Sequence, residues 1–273
     1  MKSDSMFKLV QRGAIQYLEA DILSNCEFIS HAFLTRWGGI SEGRFADLNF
    51  SVREGDTPEH VNHNYQIISK NFNVPNFFFM QQIHGDRVII LQDRDETATE
   101  SIPQADAVIT TVPLLGIGIK TADCVPILLV DRIRKIIGAV HAGWRSTALQ
   151  IAAKTVAAFE SNFSSRPADL VAVIGPCIGP CCYEVDQIVY DAMNEEGREQ
   201  AFKISGQEKW KLDLAMLNKQ QLIKSGLNPE LIVAAERCTA CQTDLFFSHR
   251  GENGKTGRQF NFIALKDPNG YCR

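Results

Sequence analysis

Three side chains suited to metal binding occur in the middle of this 273-residue chain. His84 and His141 lie in the glycine-containing segments QQIHGDRV and AVHAGWRS, and Cys124 lies in TADCVP. Two imidazoles and one thiolate can hold zinc tetrahedrally and leave the fourth position for water or substrate, as in catalytic zinc sites. The residue types therefore fit a catalytic zinc site made by His84, Cys124 and His141.

Two other interpretations fit the same three residues. They are far apart in the sequence, unlike the closely spaced ligand pairs of a zinc finger, so only the fold could bring them together. Cys124 could instead be a small buried apolar residue, with both histidines in capped turns. Cys124 and His141 could also form a thiolate and imidazolium pair for nucleophilic catalysis without a metal. Spacing alone does not separate these alternatives.

The predicted strands would hold the three side chains close to strand ends. Nearly continuous apolar runs predict buried strands in ADAVITTV, GIGIKTADCVPILLVD and KIIGAVHAGW. The β-rich runs FFFMQQI and RVIIL flank His84, Gly85 and Asp86, which predicts a strand end or tight turn at His84. Cys124 and His141 then lie at or near strands of the same central block, where side chains can converge on one site.

The remaining pattern predicts a mixed α/β fold. Thr57 as N-cap and Pro58 at the first helical position predict a helix in TPEHVNHNYQIISKNF. Residues 146–163 predict one long amphipathic helix, and DQIVYDAMNEEGREQAF and LDLAMLNKQQLIKSG predict two more. Further strands are expected in HAFLT, DLVAVIG, LIVAAERC, FFSHR and NFIALK. Since the chain has no repeat, low-complexity tract or linker, we expect one α/β domain over residues 1–273, a mixed β-sheet sandwich flanked by helices.

Composition narrows the possible partners and the compartment. The net charge is −4 and no block of Lys and Arg is present, so we expect no nucleic-acid partner. The polar residues of the first 23 positions interrupt any signal-like apolar core, and no run is long enough to cross a bilayer, so we expect a cytoplasmic protein without membrane contact. Eight cysteines in such a chain are expected to be reduced thiols.

Five segments resemble one known family. TADCVPILLVD, GAVHAGWRS, QQIHGDRV, IGPCIGPCCYEV and HAFLTRWGG occur in the order typical of the YfiH-type laccase-domain family, also called the multicopper polyphenol oxidase or purine nucleoside phosphorylase family. The resemblance covers about residues 30–265. It implies a single-domain α/β sandwich and a zinc site made by the histidine of QxHG, the cysteine of TADC and the histidine of HAGWR, which are His84, Cys124 and His141.

The same resemblance implies purine nucleoside chemistry. The expected reactions are phosphorolysis of adenosine, inosine, guanosine and methylthioadenosine, and hydrolytic deamination of adenosine. The expected partners are purine nucleosides and phosphate, with a monomer and a homodimer both open. The alternatives are a copper-dependent polyphenol oxidase at the same ligands, a metal-free Cys/His hydrolase and a binding protein without turnover.

The histidine count argues against a multicopper oxidase. Such an enzyme needs about ten imidazole ligands for its copper centres, whereas this chain has six histidines and no His-x-His pair. A single copper(II) ion at the zinc position is compatible with the sequence, because copper competes well for nitrogen and sulfur ligands.

Five further residues are candidates for the chemistry. For deamination, a zinc-activated water would attack C6 of the purine, and Asp123, next to Cys124, is the candidate for proton transfer. Arg145 lies just before a predicted helix, where its guanidinium and backbone N–H groups could hold phosphate. Arg36 in TRWGG, Arg250 in FFSHR and Asn49 in LNFS are weaker substrate-binding candidates.

The other cysteines receive no catalytic role from the sequence. Cys177, Cys181 and Cys182 lie in PCIGPCC, and Cys238 and Cys241 form a C-x-x-C pair. A structural zinc site needs about four ligands, and no second pair matching C-x-x-C is evident. PCIGPCCYEV resembles a segment of the laccase-domain family, and the resemblance implies a structural segment near the site.

Overall fold

The computed structural model describes residues 6–93 and 102–267, and Cys272 lies outside these ranges. The strands are β1 (Phe7–Arg12), β2 (Ile15–Ala20), β3 (Ile29–Leu34), β4 (Asn76–Phe78), β5 (Val88–Leu91), β6 (Ala107–Thr110), β7 (Leu115–Thr121), β8 (Val125–Asp131), β9 (Ile136–Ala142), β10 (Leu170–Ile174), β11 (Glu184–Val185), β12 (Phe202–Gly206), β13 (Lys209–Leu212), β14 (Ile232–Ala234) and β15 (Gln259–Leu265). The α-helices are α1 (Asp21–Ser24), α2 (Pro58–Phe72), α3 (Trp144–Ala148), α4 (Ile151–Phe163), α5 (Gln187–Ala192), α6 (Glu195–Ala201) and α7 (Leu214–Lys224).

Two six-stranded sheets form the centre of the fold. The first sheet has the order β1-β2-β3-β15-β7-β4 and is antiparallel except for the pair β4 and β7. The second sheet has the order β14-β10-β8-β9-β6-β5, with parallel pairs only at its two edges. Strands β11, β13 and β12 make a small third sheet. The expected mixed sheets flanked by helices are therefore confirmed.

The two large sheets pack face to face, and helices cover both outer faces. Along β8, Leu128 and Val130 belong to the core between the sheets, whereas Ile127 and Leu129 belong to the core beneath α4 and α7. Helix α2 packs Ile68 and Phe72 on the outer face of the first sheet. Because both faces of β8, β9 and β15 are covered, every residue of these strands is buried. This double burial explains the nearly continuous apolar sequences of β8 and β9.

Helix α2 follows its sequence signals. The side chain of Thr57 accepts a hydrogen bond from the backbone N–H of His60, and Pro58 occupies the first turn, as predicted. Asn73 then ends the helix in a left-handed conformation with φ 57°. Among the described helices, none has the length and apolar character needed to cross a membrane.

Several predicted boundaries were wrong. The single helix expected over residues 146–163 is two helices, because Gln150 adopts a left-handed conformation between α3 and α4. The break lets Thr147 accept hydrogen bonds from Asn218 and Gln221 of α7. The helix expected over residues 186–202 is likewise split into α5 and α6, with Asn194 capping the second. FFSHR forms turns rather than a strand, and the hairpins β1–β2 and β12–β13 were not predicted.

His31 of β3 should make the fold sensitive to acid. Its side chain is 5% exposed, and its Nε2 accepts a hydrogen bond of 3.0 Å from the backbone N–H of Ala20. Burial, aided by the charge of Lys266, lowers the pKa of His31 to about 4. Between this value and the ordinary pKa of about 6.5, the unfolded chain binds a proton that the folded chain does not. The contribution of His31 to stability is therefore constant above pH 6.5 and falls as the pH drops toward 4.

We expect wild-type protein to lose about 3 kcal/mol of unfolding free energy from this residue between pH 7 and pH 4. Urea unfolding at several pH values, compared between wild type and His31→Gln, isolates this part of the pH dependence. The exposed His63 provides a matched control, because His63→Gln should keep the wild-type slope. Identical slopes for wild type and His31→Gln would contradict the assignment.

Candidate metal centre and its cavity

Four ends of strands in the second sheet meet at one edge. Cys124 immediately precedes β8, and His141 lies near the end of the antiparallel neighbour β9, where it pairs with Pro126. Asp106 immediately precedes β6, and its carbonyl accepts the backbone N–H of His141 at 2.7 Å. His84 lies in the turn before β5, which runs parallel to β6. The order of strands therefore brings together residues that are distant in the sequence.

Asp106 holds the turn that carries His84. Its carboxylate accepts the consecutive backbone N–H groups of Ile83, His84 and Gly85 at 3.2, 3.0 and 2.7 Å. His84 adopts φ 58°, a left-handed conformation uncommon for a residue with a side chain. Non-glycine residues in this region persist when surrounding contacts fix them, and they cluster at functional sites. Asp106 supplies these contacts at His84.

The same carboxylate orients His141. Asp106 Oδ1 lies 2.8 Å from His141 Nδ1, and both side chains are almost fully buried. With Nδ1 directed to the carboxylate, Nε2 of His141 is left to face the site. A carboxylate behind a histidine is the arrangement that commonly fixes the ring orientation and tautomer of a metal ligand.

The protonation preferences of the two histidines differ. Burial alone would lower the pKa of His141, but the Cys124 thiolate and the Asp106 carboxylate outweigh burial and raise it to about 9. Packing around the His84 ring, with the charge of His141, lowers the pKa of His84 to about 4, although this ring keeps solvent access. Burial would raise the pKa of Asp106, and its hydrogen bonds to His141 and the backbone lower it instead. The negative charge of the Asp106 carboxylate next to His141 therefore favours binding of a cation beside His141.

The donor atoms of His84, Cys124 and His141 fit a single metal ion. They all lie within 4.8 Å of one another, and the two imidazole rings meet edge to face at 4.8 Å. Gly143 closes one side of the cluster, because a Cβ there would lie 2.5 Å from His84 Nδ1 and 3.3 Å from Cys124 Sγ. An absent side chain at Gly143 therefore preserves the space in which these donors converge.

Replacing Gly143 by alanine should disturb the donors without breaking the sheet. The added methyl group must displace the His84 ring, so we expect zinc affinity to fall about tenfold, in the range seen when the surroundings of metal ligands are altered. Zinc competition titrations of purified Gly143→Ala measure this. Gly206→Ala is the matched control, since its nearest neighbour to an added Cβ is the Lys209 side chain at 3.6 Å. Equal zinc affinities in Gly143→Ala and wild type would refute the packing argument.

A cavity of about 390 Å³ opens onto the metal donors. Its lining includes all three donors, the aromatic rings of Trp144 and Tyr183, and the segment from Lys120 to Cys124. The volume is within the range of small-molecule sites, which combine apolar walls with a few converging polar groups. The cavity can accommodate a flat aromatic ligand beside the three donors.

Positive charge dominates the cavity wall. Its lining carries four Lys and Arg side chains, Arg53, Lys120, Arg250 and Arg258, and two carboxylates, Glu54 and Asp123. Glu54 is already paired with Arg258. Burial, followed by the charges of Arg53 and Arg258, lowers the pKa of Lys120. Such crowding of like charges favours a bound anion.

Asp123 lies in this cavity, next to Cys124. Its carboxylate accepts hydrogen bonds from the hydroxyls of Thr239 and Ser248 at 2.6 and 2.7 Å, and from the backbone N–H of Arg250 at 2.6 Å. Asp123 also adopts φ 89°. These contacts fix the carboxylate and join the Cys124 segment to the turn that contains Arg250.

The four other predicted binding residues occupy different surroundings. The Arg250 guanidinium lines the cavity, over the Tyr183 ring. Arg145 is exposed and lies 4.2 Å from the centre of the Trp144 ring, next to the lining. Arg36 and Asn49 are not among the lining residues. The Arg36 guanidinium donates to Ala46 O, Thr243 O and Glu252, and Asn49 is fully buried in hydrogen bonds with its neighbouring loops.

Sequence reasoning missed Asp106 and two cationic residues of the cavity wall, Arg53 and Arg258. Asp106 could have been identified from its place at the start of the apolar run ADAVITTV. A carboxylate next to a buried strand needs a hydrogen-bonding or charged partner. Arg53, Arg258 and Tyr183 come from loops with no local pattern that points to a ligand. Only the packing of the two sheets brings them to the same cavity.

Comparison with known proteins identifies relatives. A family model described as multi-copper polyphenol oxidoreductase laccase matches residues 30–266. Purine nucleoside phosphorylase YlmD of Bacillus subtilis is 34% identical over 253 residues, covering 89% of this chain and 91% of the relative. Purine nucleoside phosphorylase YfiH of Escherichia coli is 33% identical over 233 residues, covering 85% and 91%. The crystal structure of Bacillus licheniformis hypothetical protein YfiH matches with a TM-score of 0.88 at 33% identity, covering 96% of this chain and 100% of that one.

Proposed function

The chain belongs to the multi-copper polyphenol oxidoreductase laccase family, and we propose that it is a zinc-dependent purine nucleoside phosphorylase. The single observation that carries this proposal is the composition of one cavity. Three metal donors, a net positive wall and two aromatic rings line the same 390 Å³ space. A phosphate, a purine and a metal ion each have matching groups within it.

The proposed main reaction is phosphorolysis of the glycosidic bond. A phosphate oxygen attacks C1′ of the ribose, the bond from C1′ to the purine nitrogen breaks, and the base leaves with that electron pair and gains a proton. The products are the free base and ribose 1-phosphate, or 5-methylthioribose 1-phosphate when the nucleoside is methylthioadenosine. We propose adenosine, inosine, guanosine and methylthioadenosine as substrates, on the strength of the motif resemblance and the relatives' names.

The cationic residues would hold the phosphate. Lys120 is partly buried in the wall, and its backbone N–H and carbonyl are fixed by hydrogen bonds of 2.8 Å with the Gln82 side chain. These bonds fix the Lys120 backbone, so that phosphate binding has only the Lys120 side chain left to order. We propose Lys120, Arg53 and Arg250 as the phosphate contacts, with Arg145 at the cavity rim. Arg36 and Asn49 would act by ordering the loops.

Adenosine deamination is the proposed second reaction. Water adds at C6 of the purine and ammonia leaves, so a proton must move from the attacking water to the leaving group. Asp123 lines the cavity and is our candidate for this transfer, with its carboxylate oriented by Thr239 and Ser248. Trp144 and Tyr183 would stack against the purine, as aromatic rings commonly do in such sites.

Zinc at His84, Cys124 and His141 would supply a Lewis acid that polarises an oxygen ligand at neutral pH. Copper at the same donors is the alternative suggested by the family's description, and it predicts polyphenol oxidation with oxygen consumption. The proposal favours zinc because the six histidines of the chain are too few for a multicopper centre.

Removing the Lys120 charge should weaken phosphate binding selectively. We expect Lys120→Met to raise the KM for phosphate about tenfold, the effect of losing one charge-assisted hydrogen bond, with little change in the KM for inosine. Initial rates at varied phosphate and fixed inosine measure this. Lys154→Met is the matched control, because Lys154 pairs with Asp86 on the surface. An unchanged phosphate KM in Lys120→Met would exclude Lys120 from the phosphate site.

The proposal as a whole is tested with inosine and inorganic phosphate. Protein stripped of metal is reloaded with zinc or with copper, and hypoxanthine release is followed in parallel with oxygen uptake on a polyphenol. Phosphate-dependent hypoxanthine release from the zinc-loaded protein supports the proposed function. Oxygen uptake only, from the copper-loaded protein, would replace it with the oxidase alternative. Full activity in the stripped protein would favour a metal-free mechanism at Cys124 and His141.

A further inference from the structure

We propose that Cys181, Cys182, Cys238 and Cys241 bind a second zinc ion with a structural role. Their four sulfur atoms all lie within 4.8 Å of one another, in a cluster separate from His84, Cys124 and His141. The pairs come from two loops, one after β10 and one after β14, which the fold brings together. This inference does not depend on the proposed nucleoside chemistry.

The sulfur geometry suits a single tetrahedral ion. With zinc to sulfur bonds of about 2.3 Å, the sulfurs of a tetrahedral site are about 3.8 Å apart. Cys241 Sγ lies 3.5 Å from Cys181 Sγ and 3.3 Å from Cys182 Sγ. These separations are far longer than a disulfide bond of about 2.05 Å. They also leave room for one ion and too little room for an iron–sulfur cluster with several irons.

The backbone around the cluster supports thiolate ligands. The N–H of Gly179 donates to Cys238 Sγ at 3.2 Å, and such donors to ligand atoms orient and stabilise a metal site. A Cβ on Gly179 would lie 3.3 Å from Cys238 Cβ and 3.4 Å from Cys181 Sγ, so the two cysteine loops pack closely around this residue. Next to this contact, Cys177 and Cys238 form an isolated β-bridge.

Four thiolates leave no open position, which is the pattern of a structural zinc site. Cys181 and Cys241 are exposed, so zinc can enter from solvent, and none of the four cysteines lines the cavity beside Cys124. Cys238 and Cys241 supply two of the four zinc ligands. The other two, which the sequence pattern did not reveal, are the adjacent residues Cys181 and Cys182.

The proposed ion would stabilise one wall of the cavity that contains Cys124. Tyr183, adjacent to Cys182, and Ile178 both line that cavity. Thr239, adjacent to Cys238, donates to the Asp123 carboxylate. The Arg250 guanidinium lies over the Tyr183 ring and donates to Glu184 O at 2.9 Å. Joining the two loops through one ion would fix these residues relative to Cys124.

Metal content gives the first test. Protein purified with reductant and zinc, then desalted, is analysed for zinc per chain by elemental mass spectrometry. We expect two zinc ions in wild type, one in Cys238→Ser/Cys241→Ser and one in Cys124→Ser. Cys26→Ser serves as the matched control and should retain two, since Cys26 lies in the core between the sheets. One zinc ion in both wild type and Cys238→Ser/Cys241→Ser would overturn the proposal.

Alkylation of the wild-type protein gives a second test that needs no variant to fold. Exposed free thiols react quickly with iodoacetamide, whereas zinc-bound thiolates are protected. We expect Cys181 and Cys241 to be unmodified until a chelator is added, as read by peptide mass spectrometry. Rapid modification before chelation, or a disulfide involving any of the four cysteines in freshly purified reduced protein, would overturn the assignment. Loss of nucleoside activity alone would bear only on the proposed function.

Discussion

Cys124→Ser should lower kcat/KM for purine nucleoside phosphorolysis by at least about 1000-fold, because a hydroxyl at this position is a poor zinc ligand and the loss of the metal removes several kcal/mol of transition-state stabilisation. The fold should survive, since Cys124 lies at the edge of the second sheet and is half-buried rather than part of its core. Steady-state kinetics with inosine and phosphate, together with zinc content, measure the effect.

Cys26→Ser is a suitable comparison for Cys124→Ser. Cys26 is buried between the sheets, so its replacement tests whether any cysteine substitution impairs the protein through stability alone. We expect Cys26→Ser to keep its catalytic-site zinc and activity at temperatures below its unfolding transition. If Cys124→Ser retained both zinc at this site and wild-type activity, the assignment of Cys124 as a metal ligand would be wrong.

Asp106→Asn should lower zinc affinity by about 10- to 100-fold, the usual effect of removing a carboxylate that orients a metal ligand. The carboxylate contacts His141 Nδ1 and three backbone N–H groups around His84, so one substitution disturbs two of the three proposed ligands. Competition with a zinc chelator of known affinity gives the dissociation constants. Phosphorolysis at saturating zinc should recover part of the lost activity.

Asp131 provides a matched control for Asp106. It is also fully buried in the second sheet, but it lies at the opposite end of β8 and accepts hydrogen bonds from the backbone of Ile133 and Arg134. Asp131→Asn should reduce stability without changing zinc affinity. Equal zinc affinities for Asp106→Asn and wild type would show that Asp106 does not position the metal ligands.

The parts of the fold that could be predicted are those with strong local patterns. Strands β8 and β9 are buried on both faces, so their apolar runs indicated strands and their positions indicated where Cys124 and His141 would lie. Helix α2 was predicted from Thr57 and Pro58 because capping is a local interaction. The resemblance to the laccase-domain family, made on ordered motifs, was confirmed by the family model.

The parts that could not be predicted depend on contacts between distant segments. Gln150 breaks a helix whose residue pattern is continuous, and at the break Thr147 accepts hydrogen bonds from Asn218 and Gln221 of α7. Asp106 acquires its position only when β6 pairs with β9. The cysteine pairs at 181–182 and 238–241 looked unmatched in the sequence, and only the meeting of the loops after β10 and β14 places their sulfurs together. Local propensity carries no information about such pairings.

The central claim is that this cavity catalyses metal-dependent reactions of purine nucleosides. The most direct measurement is product analysis of adenosine incubated with and without phosphate, using zinc-loaded wild type beside Cys124→Ser. The account predicts adenine and ribose 1-phosphate that require phosphate, with inosine from the deamination reaction, all lost in Cys124→Ser. No product from folded, zinc-loaded wild type, or equal product from both proteins, would contradict it.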